Sequence, residues 1–215
     1  MMGRFITLEG IEGAGKSTVA QALMRALEAR GIVVRATREP GGTPLAERLR
    51  DAVLTKGEET VSPEAETMLM FASRAVHLDN LVRPALARGE WVICDRYTDA
   101  TRAYQGGGRG VAREFIETLA QAVHRGTEPD LTLLLDLPVE VGLERARRRR
   151  VANGQVVADR FESETLEFFG RVRSRYLEIA KADPLRVHVL DATRDAVQVA
   201  AAASAALDAL IGRGT

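Results

Sequence analysis

The chain has 215 residues, and its 30 basic and 30 acidic side chains give a formal net charge of zero at pH 7. This balance gives no reason to expect a surface that binds nucleic acid or a membrane, and the length suits one domain with one large core. A single cysteine, Cys94, excludes an intramolecular disulfide and a metal site made of several cysteines. We expect a cytoplasmic protein, because residues 1–10 are typical of a strand rather than a signal peptide and no apolar run approaches the length of a membrane span.

The motif nearest the start of the chain is Gly-Ile-Glu-Gly-Ala-Gly-Lys-Ser at residues 10–17, which matches the phosphate-binding loop (P-loop) pattern G-x-x-x-x-G-K-[ST]. Residues 5–8 before it predict a buried strand, and residues 19–30 after it have the apolar spacing of a helix. In this context backbone N–H groups bind a polyphosphate, Lys16 reaches the β- and γ-phosphates, and Ser17 binds Mg²⁺. We therefore predict a nucleoside triphosphate site formed by Gly10, Ile11, Glu12, Gly13, Ala14, Gly15, Lys16, Ser17 and Thr18.

Strands and helices alternate along the rest of the chain. Strands are predicted at 32–34, 91–94, 131–137 and 187–190, and helices at 45–54, 63–88, 112–124, 139–150, 162–182 and 196–210. Pro84 is expected to kink the long helix, the three glycines at 106–108 to break the chain, and residues 151–159 to form a mobile loop. The alternation predicts one α/β domain over residues 1–215, with a P-loop NTPase fold and a five-stranded parallel sheet that has helices on both faces. Ligands should bind at the carboxyl ends of the strands.

Two carboxylates end apolar strands, Asp95 and Asp136, and either is a candidate acidic partner for Mg²⁺. Asp95 is followed by Arg96 and by hydroxyl and amide side chains, whereas Asp136 is followed only by Leu137 and Pro138. We favour Asp95 as the metal ligand that acts with Ser17. Asp136 would then cap the helix after Pro138.

Three classes of P-loop protein compete. A GTPase switch needs an Asn-Lys-x-Asp sequence to read guanine, and neither Asn80 nor Asn153 is followed by lysine. An ATP-driven motor needs a sensor or partner-supplied arginine and usually a longer chain. A small-molecule kinase needs a second pocket for the phosphate acceptor and a lid that excludes water. The chain offers candidates for both, so we favour the kinase.

The acceptor pocket is indicated by Phe71 and Arg74, which lie three residues apart and share one helical face. Their ring and guanidinium suit a nucleobase, although the same pair is also compatible with a core residue and a solvated charge. The lid is indicated by the arginine-rich residues 145–150, which lead into the predicted loop. Four successive arginines cover all sides of a helix, which serves no amphipathic packing. We therefore assign a lid that closes over phosphates to residues 145–160.

Five stretches carry a resemblance to a known family: Leu-Glu-Gly-Ile-Glu-Gly-Ala-Gly-Lys-Ser at 8–17, Thr-Arg-Glu-Pro-Gly-Gly-Thr at 37–43, Phe-Ala-Ser-Arg at 71–74, Asp-Arg-Tyr at 95–97 and Ala-Tyr-Gln-Gly-Gly at 103–107. In order and spacing they resemble the bacterial thymidylate kinases over nearly the whole chain. The resemblance implies transfer of the ATP γ-phosphoryl group to dTMP, which gives dTDP for dTTP and DNA synthesis. It also implies Mg²⁺ and a homodimer. The expected partners are thus the small molecules dTMP and ATP, without nucleic acid or membrane.

The resemblance also implies an acceptor site. Phe71 would stack on thymine, Arg74 would contact its O4, and Arg96 would bind the acceptor phosphate. Tyr104 would lie against the sugar at C2′, and Glu12 would face the 3′-hydroxyl. The complete predicted site comprises Glu12, Arg38, Glu39, Pro40, Met70, Phe71, Arg74, Arg96, Thr101, Tyr104 and Gln105.

The P-loop has no basic residue other than its lysine, which resembles the subtype that supplies a catalytic arginine from the lid. The predicted catalytic residues are Lys16, Asp95, Arg96, Arg147 and Arg149, and Arg145 is predicted to bind ATP. Three positions depart from the family pattern. Met70 stands where the stacking aromatic is usual, Ala100 stands where a serine is common, and Arg102 is unusual in its segment. Either Met70 or Phe71 is therefore a candidate to cover the base.

Overall fold

The computed structural model describes residues 3–55, 57–154, 160–161 and 164–212. Five strands are present in this part of the chain: β1 (Phe5–Glu9), β2 (Val34–Arg38), β3 (Trp91–Asp95), β4 (Leu131–Asp136) and β5 (Val187–Asp191). The α-helices are α1 (Lys16–Glu28), α2 (Pro44–Leu54), α3 (Pro63–His77), α4 (Arg83–Ala87), α5 (Thr98–Thr101), α6 (Arg113–His124), α7 (Val139–Ala152), α8 (Leu166–Ala182) and α9 (Ala196–Gly212). Two π-helical segments, Leu78–Val82 and Arg102–Gly108, continue α3 and α5.

The five strands form one parallel sheet in the order β2-β3-β1-β4-β5. From β1 the chain runs to β2 and β3 on one side of β1, and then to β4 and β5 on the other side. The strand order therefore reverses at β1. The crevice at such a switch point, beyond the carboxyl ends of the strands, is where open α/β sheets bind ligands. The P-loop follows β1 and therefore lies at this crevice.

Both faces of the sheet are covered, as predicted. Adjacent residues of a strand point to opposite faces. Ile6 belongs to the large core that includes residues of α1, α8 and α9, whereas its neighbour Phe5 packs with Leu78 and Val82 on the other side. Strand β1 is buried along its whole length, as expected for a central strand of a parallel sheet that is covered on both faces. In the described residues, the helices are too short or too polar to cross a membrane.

Some predicted element boundaries were wrong. Strand β2 begins at Val34 rather than at residue 32, because the backbone N–H of Ile32 still donates to Leu27 at the end of α1. The three glycines at 106–108 do not break the chain but belong to the second π-helical segment. Helix α8 begins at Leu166, after Thr165 accepts a hydrogen bond from the N–H of Phe168. Residues 162–163 and 155–159 of the predicted helix and loop lie outside the described residues.

The long helix predicted at 63–88 is continuous but irregular. Its first turn is capped by Ser62, whose side chain accepts a hydrogen bond from the N–H of Ala65. A π-helical turn precedes Pro84, where the N–H of Arg83 donates to the carbonyl of Leu78. Proline has no N–H and crowds the preceding turn, so a widened turn accommodates it within the helix.

Candidate active site

The P-loop connects β1 to α1 and packs directly on helix α7. Gly13 has a φ of 73°, and a Cβ there would overlap the carbonyl oxygen of Gly142 on α7. A Cβ on Gly142 would lie 2.7 Å from the carbonyl oxygen of Glu12. Two glycines thus allow the backbones of loop and helix to touch. This contact fixes where the arginines at the end of α7 lie relative to the loop.

Lys16 lies in a cleft beside the loop, with only 8% of its surface exposed. Its Nζ donates to the carbonyls of Gly10 and Ile11, both at 3.1 Å, and lies 3.9 Å from Oδ1 of Asp95. Burial and then the charge of Arg96 lower the pKa of the Lys16 ammonium from its ordinary value. Residues that line this phosphate cleft are Glu12, Gly13, Ala14, Gly15, Lys16, Ser17, Arg50, Asp95, Arg96 and Arg149.

The two candidate metal ligands have different surroundings. Asp95 lines the phosphate cleft, and its buried Oδ1 has no hydrogen-bond partner within the described ranges. Asp136 instead accepts two hydrogen bonds from Arg173, at 2.7 and 2.9 Å. Its expected capping role was wrong, since the N-cap residue of α7 is Pro138 and the Asp136 carboxylate binds Arg173 instead. The oxygens of Asp95 and Ser17 are ligands that suit Mg²⁺.

A second cleft adjoins the first and shares lining residues with it. It is lined by Glu12, Glu39, Pro40, Arg50, Leu54, Met70, Arg74, Arg96, Tyr97, Ala100, Thr101, Tyr104, Gln105 and Phe161. Most of the predicted acceptor residues therefore come together in the structure. We call this the acceptor cleft.

Arg74 is held rigidly at the floor of the acceptor cleft. Its Nε donates to Glu39 at 2.6 Å and one terminal nitrogen donates to Thr101 at 3.1 Å. The other terminal nitrogen, NH1, is buried and has no hydrogen-bond partner in the described part of the chain. Burial alone would raise the pKa of Glu39, but the charge of Arg74 and a hydrogen bond with His77 hold it below its ordinary value. A fixed guanidinium with an unused donor is suited to an acceptor atom of a ligand.

Arg96 lies where the two clefts meet. One terminal nitrogen donates to Glu12 and to the hydroxyl of Tyr104, each at 2.9 Å, and the other donates to the hydroxyl of Tyr176 at 3.2 Å. Its backbone has a φ of 72°, which is uncommon for a residue with a side chain. The next N–H, that of Tyr97, donates to the buried carboxylate of Glu9 and holds this turn.

The structure separates two residues that the sequence left as alternatives. Met70 lines the acceptor cleft. Phe71 is buried in a cluster with Val111, Ile116 and Ala120, and its ring lies 4.7 Å below the guanidinium of Arg74. The expectation that Phe71 itself faces the base is therefore not met in this structure, and Phe71 supports Arg74 from behind.

Two further predicted residues lie away from the clefts. The side chain of Arg38 is exposed and pairs with Glu47 at 2.9 Å. Arg38 is not one of the described residues that line the acceptor cleft. Arg147 also points outward and pairs with Glu144 at 2.8 Å, as Arg148 does at 2.7 Å. Arg147 therefore lies outside the phosphate cleft in this structure, and its catalytic role stays a prediction. Helix geometry explains why some arginines of α7 point outward while others face the P-loop, because successive side chains of a helix point about 100° apart.

Arg149 and Arg145 do face the nucleotide region. Arg149 lines the phosphate cleft. Arg145 donates to the carbonyl of Ala192 at 2.8 Å and lines a groove on the other side of the P-loop together with Thr18. Both lie on α7, whose backbone rests on the loop.

Sequence reasoning missed Arg50, which lines both clefts and donates to the carbonyl of Pro40 at 2.8 Å. A signal was present, because Arg50 shares the buried face of α2 with Ala46 and Val53, four residues before it and three after it. The unusual Arg102 is now explained. It pairs with the buried Asp99 and with Glu117, each at 2.8 Å.

Comparisons with known proteins identify the family. A family model described as thymidylate kinase matches residues 8–203. The chain is 53% identical over 211 residues to the thymidylate kinase of Pseudomonas savastanoi pv. phaseolicola, which covers 98% of this chain and 96% of that protein. It is 50% identical over 209 residues to the thymidylate kinase of Methylococcus capsulatus, with 97% of each chain covered. The crystal structure of thymidylate kinase from Ehrlichia chaffeensis matches with a TM-score of 0.76 at 30% identity, covering 97% of this chain and 99% of that one. The chain therefore belongs to the thymidylate kinase family.

Proposed function

We propose that this protein transfers the γ-phosphoryl group of ATP to dTMP, producing ADP and dTDP for dTTP synthesis. The observation that carries the proposal is the junction of the two clefts. Glu12, Arg50 and Arg96 line both the phosphate cleft and the acceptor cleft. A triphosphate on the P-loop and a monophosphate in the acceptor cleft would therefore meet at these residues.

The reaction needs position and positive charge more than a strong base. An oxygen of the acceptor phosphate attacks the γ-phosphorus, and the bond to the oxygen that bridges the β- and γ-phosphates breaks, so that ADP leaves with that electron pair. The transition state is loose and its charge is spread over the transferred oxygens. Lys16, Arg96 and Arg149 lie around this cleft and supply fixed cationic donors.

Ser17 and Asp95 are the residues that would hold Mg²⁺ in this cleft. Both line it, and Asp95 offers a buried oxygen without a hydrogen-bond partner in the described ranges. When bound, the ion would neutralise charge on the β- and γ-phosphate oxygens. The acidic neighbour at 3.9 Å also keeps Lys16 oriented toward the loop.

Base selection is proposed to rest on Arg74. Arginine has donors only, so its unused NH1 suits the O4 acceptor of thymine or uracil and opposes the N4 amine of cytosine. Met70 and the ring of Tyr104 belong to the apolar part of the cleft wall. The Tyr104 hydroxyl donates to Glu12 at 2.8 Å, which fixes the ring that we place against the sugar at C2′.

A panel of nucleoside monophosphates assayed with Mg-ATP for ADP release tests the proposal. We expect kcat/KM to be highest for dTMP, lower for dUMP by roughly 10–200-fold because one methyl contact is lost, and far lower for dCMP. Ribonucleotides should also be poor, since a 2′-hydroxyl would crowd the Tyr104 ring. Equal use of dCMP and dUMP would show that Arg74 does not read the base and would refute the assignment of the acceptor.

We further propose that the protein is a cytoplasmic homodimer, which rests on its membership of the family. Light scattering coupled to gel filtration should give the mass of two chains. A monomer at micromolar concentration with full dTMP turnover would contradict the dimer and leave the kinase activity standing. Fractionation of native cells tests the location separately.

A further inference from the structure

Glu66 is a buried acidic residue in the first turn of α3, with 1% of its surface exposed. Its Oε1 accepts a hydrogen bond from Nε2 of Gln105 at 2.6 Å. Its Oε2 accepts from a terminal nitrogen of Arg160 and lies 3.4 Å from Nε of Arg109. Burying a carboxylate is costly, and these partners on both oxygens offset that cost.

The contact with Gln105 fixes which way that amide faces. Since guanidinium groups occupy the other carboxylate oxygen, Glu66 offers Gln105 only an acceptor, and Gln105 must present its NH₂ group. The two ends of an amide lie on opposite sides of the same carbon. The oxygen of Gln105 is therefore directed away from Glu66, and Gln105 lines the acceptor cleft.

The orientation matters for the edge of a pyrimidine. Thymine and uracil carry a hydrogen on N3, which an amide oxygen can accept, whereas cytosine has an unprotonated N3 that requires a donor. An amide free to rotate would accept either arrangement. An amide whose NH₂ group is held by a carboxylate cannot turn that group toward the N3 of cytosine without losing this hydrogen bond in a buried site.

The contact with Arg160 joins Glu66 to the wall of the same cleft. The guanidinium of Arg160 lies 5.6 Å from the ring centroid of its neighbour Phe161, and the Arg160 N–H donates to the carbonyl of Leu54 at 3.2 Å. Phe161 and Leu54 both line the acceptor cleft. Arg109, the third partner, pairs with Glu164 at 2.7 Å, just after Phe161. One carboxylate thus holds both an amide that lines the acceptor cleft and the segment that brings Phe161 into the same lining.

We propose that Glu66 is a positioning residue for base selection, which orients the Gln105 amide so that its oxygen accepts from N3–H of the pyrimidine and keeps Phe161 against the cleft. This inference rests on the proposed dTMP kinase activity and adds a second point of discrimination to that of Arg74. Glu66 acts through Gln105 and does not contact the substrate itself.

The test compares Glu66→Gln with Glu64→Gln, an exposed glutamate in the same helical turn. Glutamine at 66 can accept or donate, so it no longer dictates the Gln105 amide. We expect KM for dTMP to rise about 10–100-fold and the ratio of kcat/KM for dTMP to that for dCMP to fall about tenfold. The reason is that Gln105 would no longer be forced to present its oxygen to N3–H of the pyrimidine. The kcat at saturating dTMP and the KM for ATP should stay within a few-fold. The Glu64→Gln protein should match the wild type in all four measurements.

A double-mutant cycle with Gln105→Leu tests whether Glu66 acts through Gln105. If Glu66 acts through Gln105, Glu66→Gln should change the dTMP-to-dCMP preference little once residue 105 cannot hydrogen-bond. Should Glu66→Gln fail to fold, Glu66→Asp withdraws the carboxylate by one methylene and is expected to narrow the same preference. An unchanged preference in a folded variant would overturn the inference, even if stability fell. If instead the wild-type protein does not favour dTMP, the proposed function itself fails.

Discussion

Glu9, the last residue of β1, allows a quantitative test of how the buried polar groups near the site affect stability. Its side chain is completely buried, accepts from the N–H of Tyr97 at 2.7 Å and accepts from the hydroxyl of Tyr176 at 2.7 Å. Burial, and next the charge of Asp99, raise the pKa of Glu9 from 4.5 to about 8. The folded protein therefore retains a proton on Glu9 at pH values where the unfolded chain has lost it.

Proton linkage gives the direction in which stability changes with pH. Between pH 4.5 and about 8 the folded state binds more protons at Glu9 than the unfolded state does, so stability falls as the pH rises. The contribution is complete below pH 4.5 and is lost as the pH rises through about 8. One proton of difference changes the folding equilibrium roughly tenfold per pH unit, which is on the order of 4 kcal/mol from pH 5 to pH 8.

Urea unfolding of wild type and Glu9→Gln at pH 5, 6, 7 and 8 measures this effect. Glutamine mimics the protonated carboxyl, so the two proteins should be nearly equal at pH 5, and the variant should be increasingly more stable toward pH 8. Glu28→Gln, at an exposed position at the end of α1, is the matched control and should follow the wild type. Parallel curves for wild type and Glu9→Gln across this range would refute the raised pKa.

Three further predictions concern the reaction. Lys16→Ala should lower kcat by about 10²-fold or more while the melting temperature is kept, and full turnover would contradict its phosphate role. Arg149→Ala should lower kcat by roughly 10³-fold with the KM for the acceptor nearly unchanged. Arg147→Ala should keep kcat within a few-fold of the wild type. The reverse pattern in steady-state kinetics would show that the lid presents another arginine. Arg74→Gln offers an acceptor as well as donors, so the ratio of kcat/KM for dUMP to that for dCMP should shrink, and an unchanged ratio would exclude base reading by Arg74.

Much of the fold and the phosphate site could be predicted because their signals are local. A strand, a glycine loop and a helix occur together within residues 5–28, and the apolar strands end at the sheet edge where ligands bind. Asp95 was separable from Asp136 by its polar neighbours, and the structure shows Asp136 already paired with Arg173. The covered faces of the sheet followed from the alternation of strands and helices along the chain.

The parts that escaped prediction depend on how elements pack together. Consecutive arginines on α7 look alike in sequence. Which of them faces the phosphate cleft depends on how α7 packs on the P-loop at Gly13 and Gly142, and in the structure it is Arg149. In the same way, the neighbours Met70 and Phe71 are separated by which side of α3 packs on α6. Such choices are set by backbone approach over long sequence distances, which a local pattern does not contain.

The electrostatics of the phosphate cleft connect these observations. Burial, and next the charge of the nearby Arg96, lower the pKa of Lys16. Arg149 adds a third cation to the same lining. Asp95 and Glu12 are the acidic side chains among the described lining residues. Cations held this close repel one another, and partly buried cations are poorly hydrated, so an anionic ligand relieves both costs. The rigid partners of Arg96, namely Tyr104 and Tyr176, keep it in place for a phosphate before one arrives. The cleft is therefore preorganised for two substrates whose phosphates would otherwise repel each other.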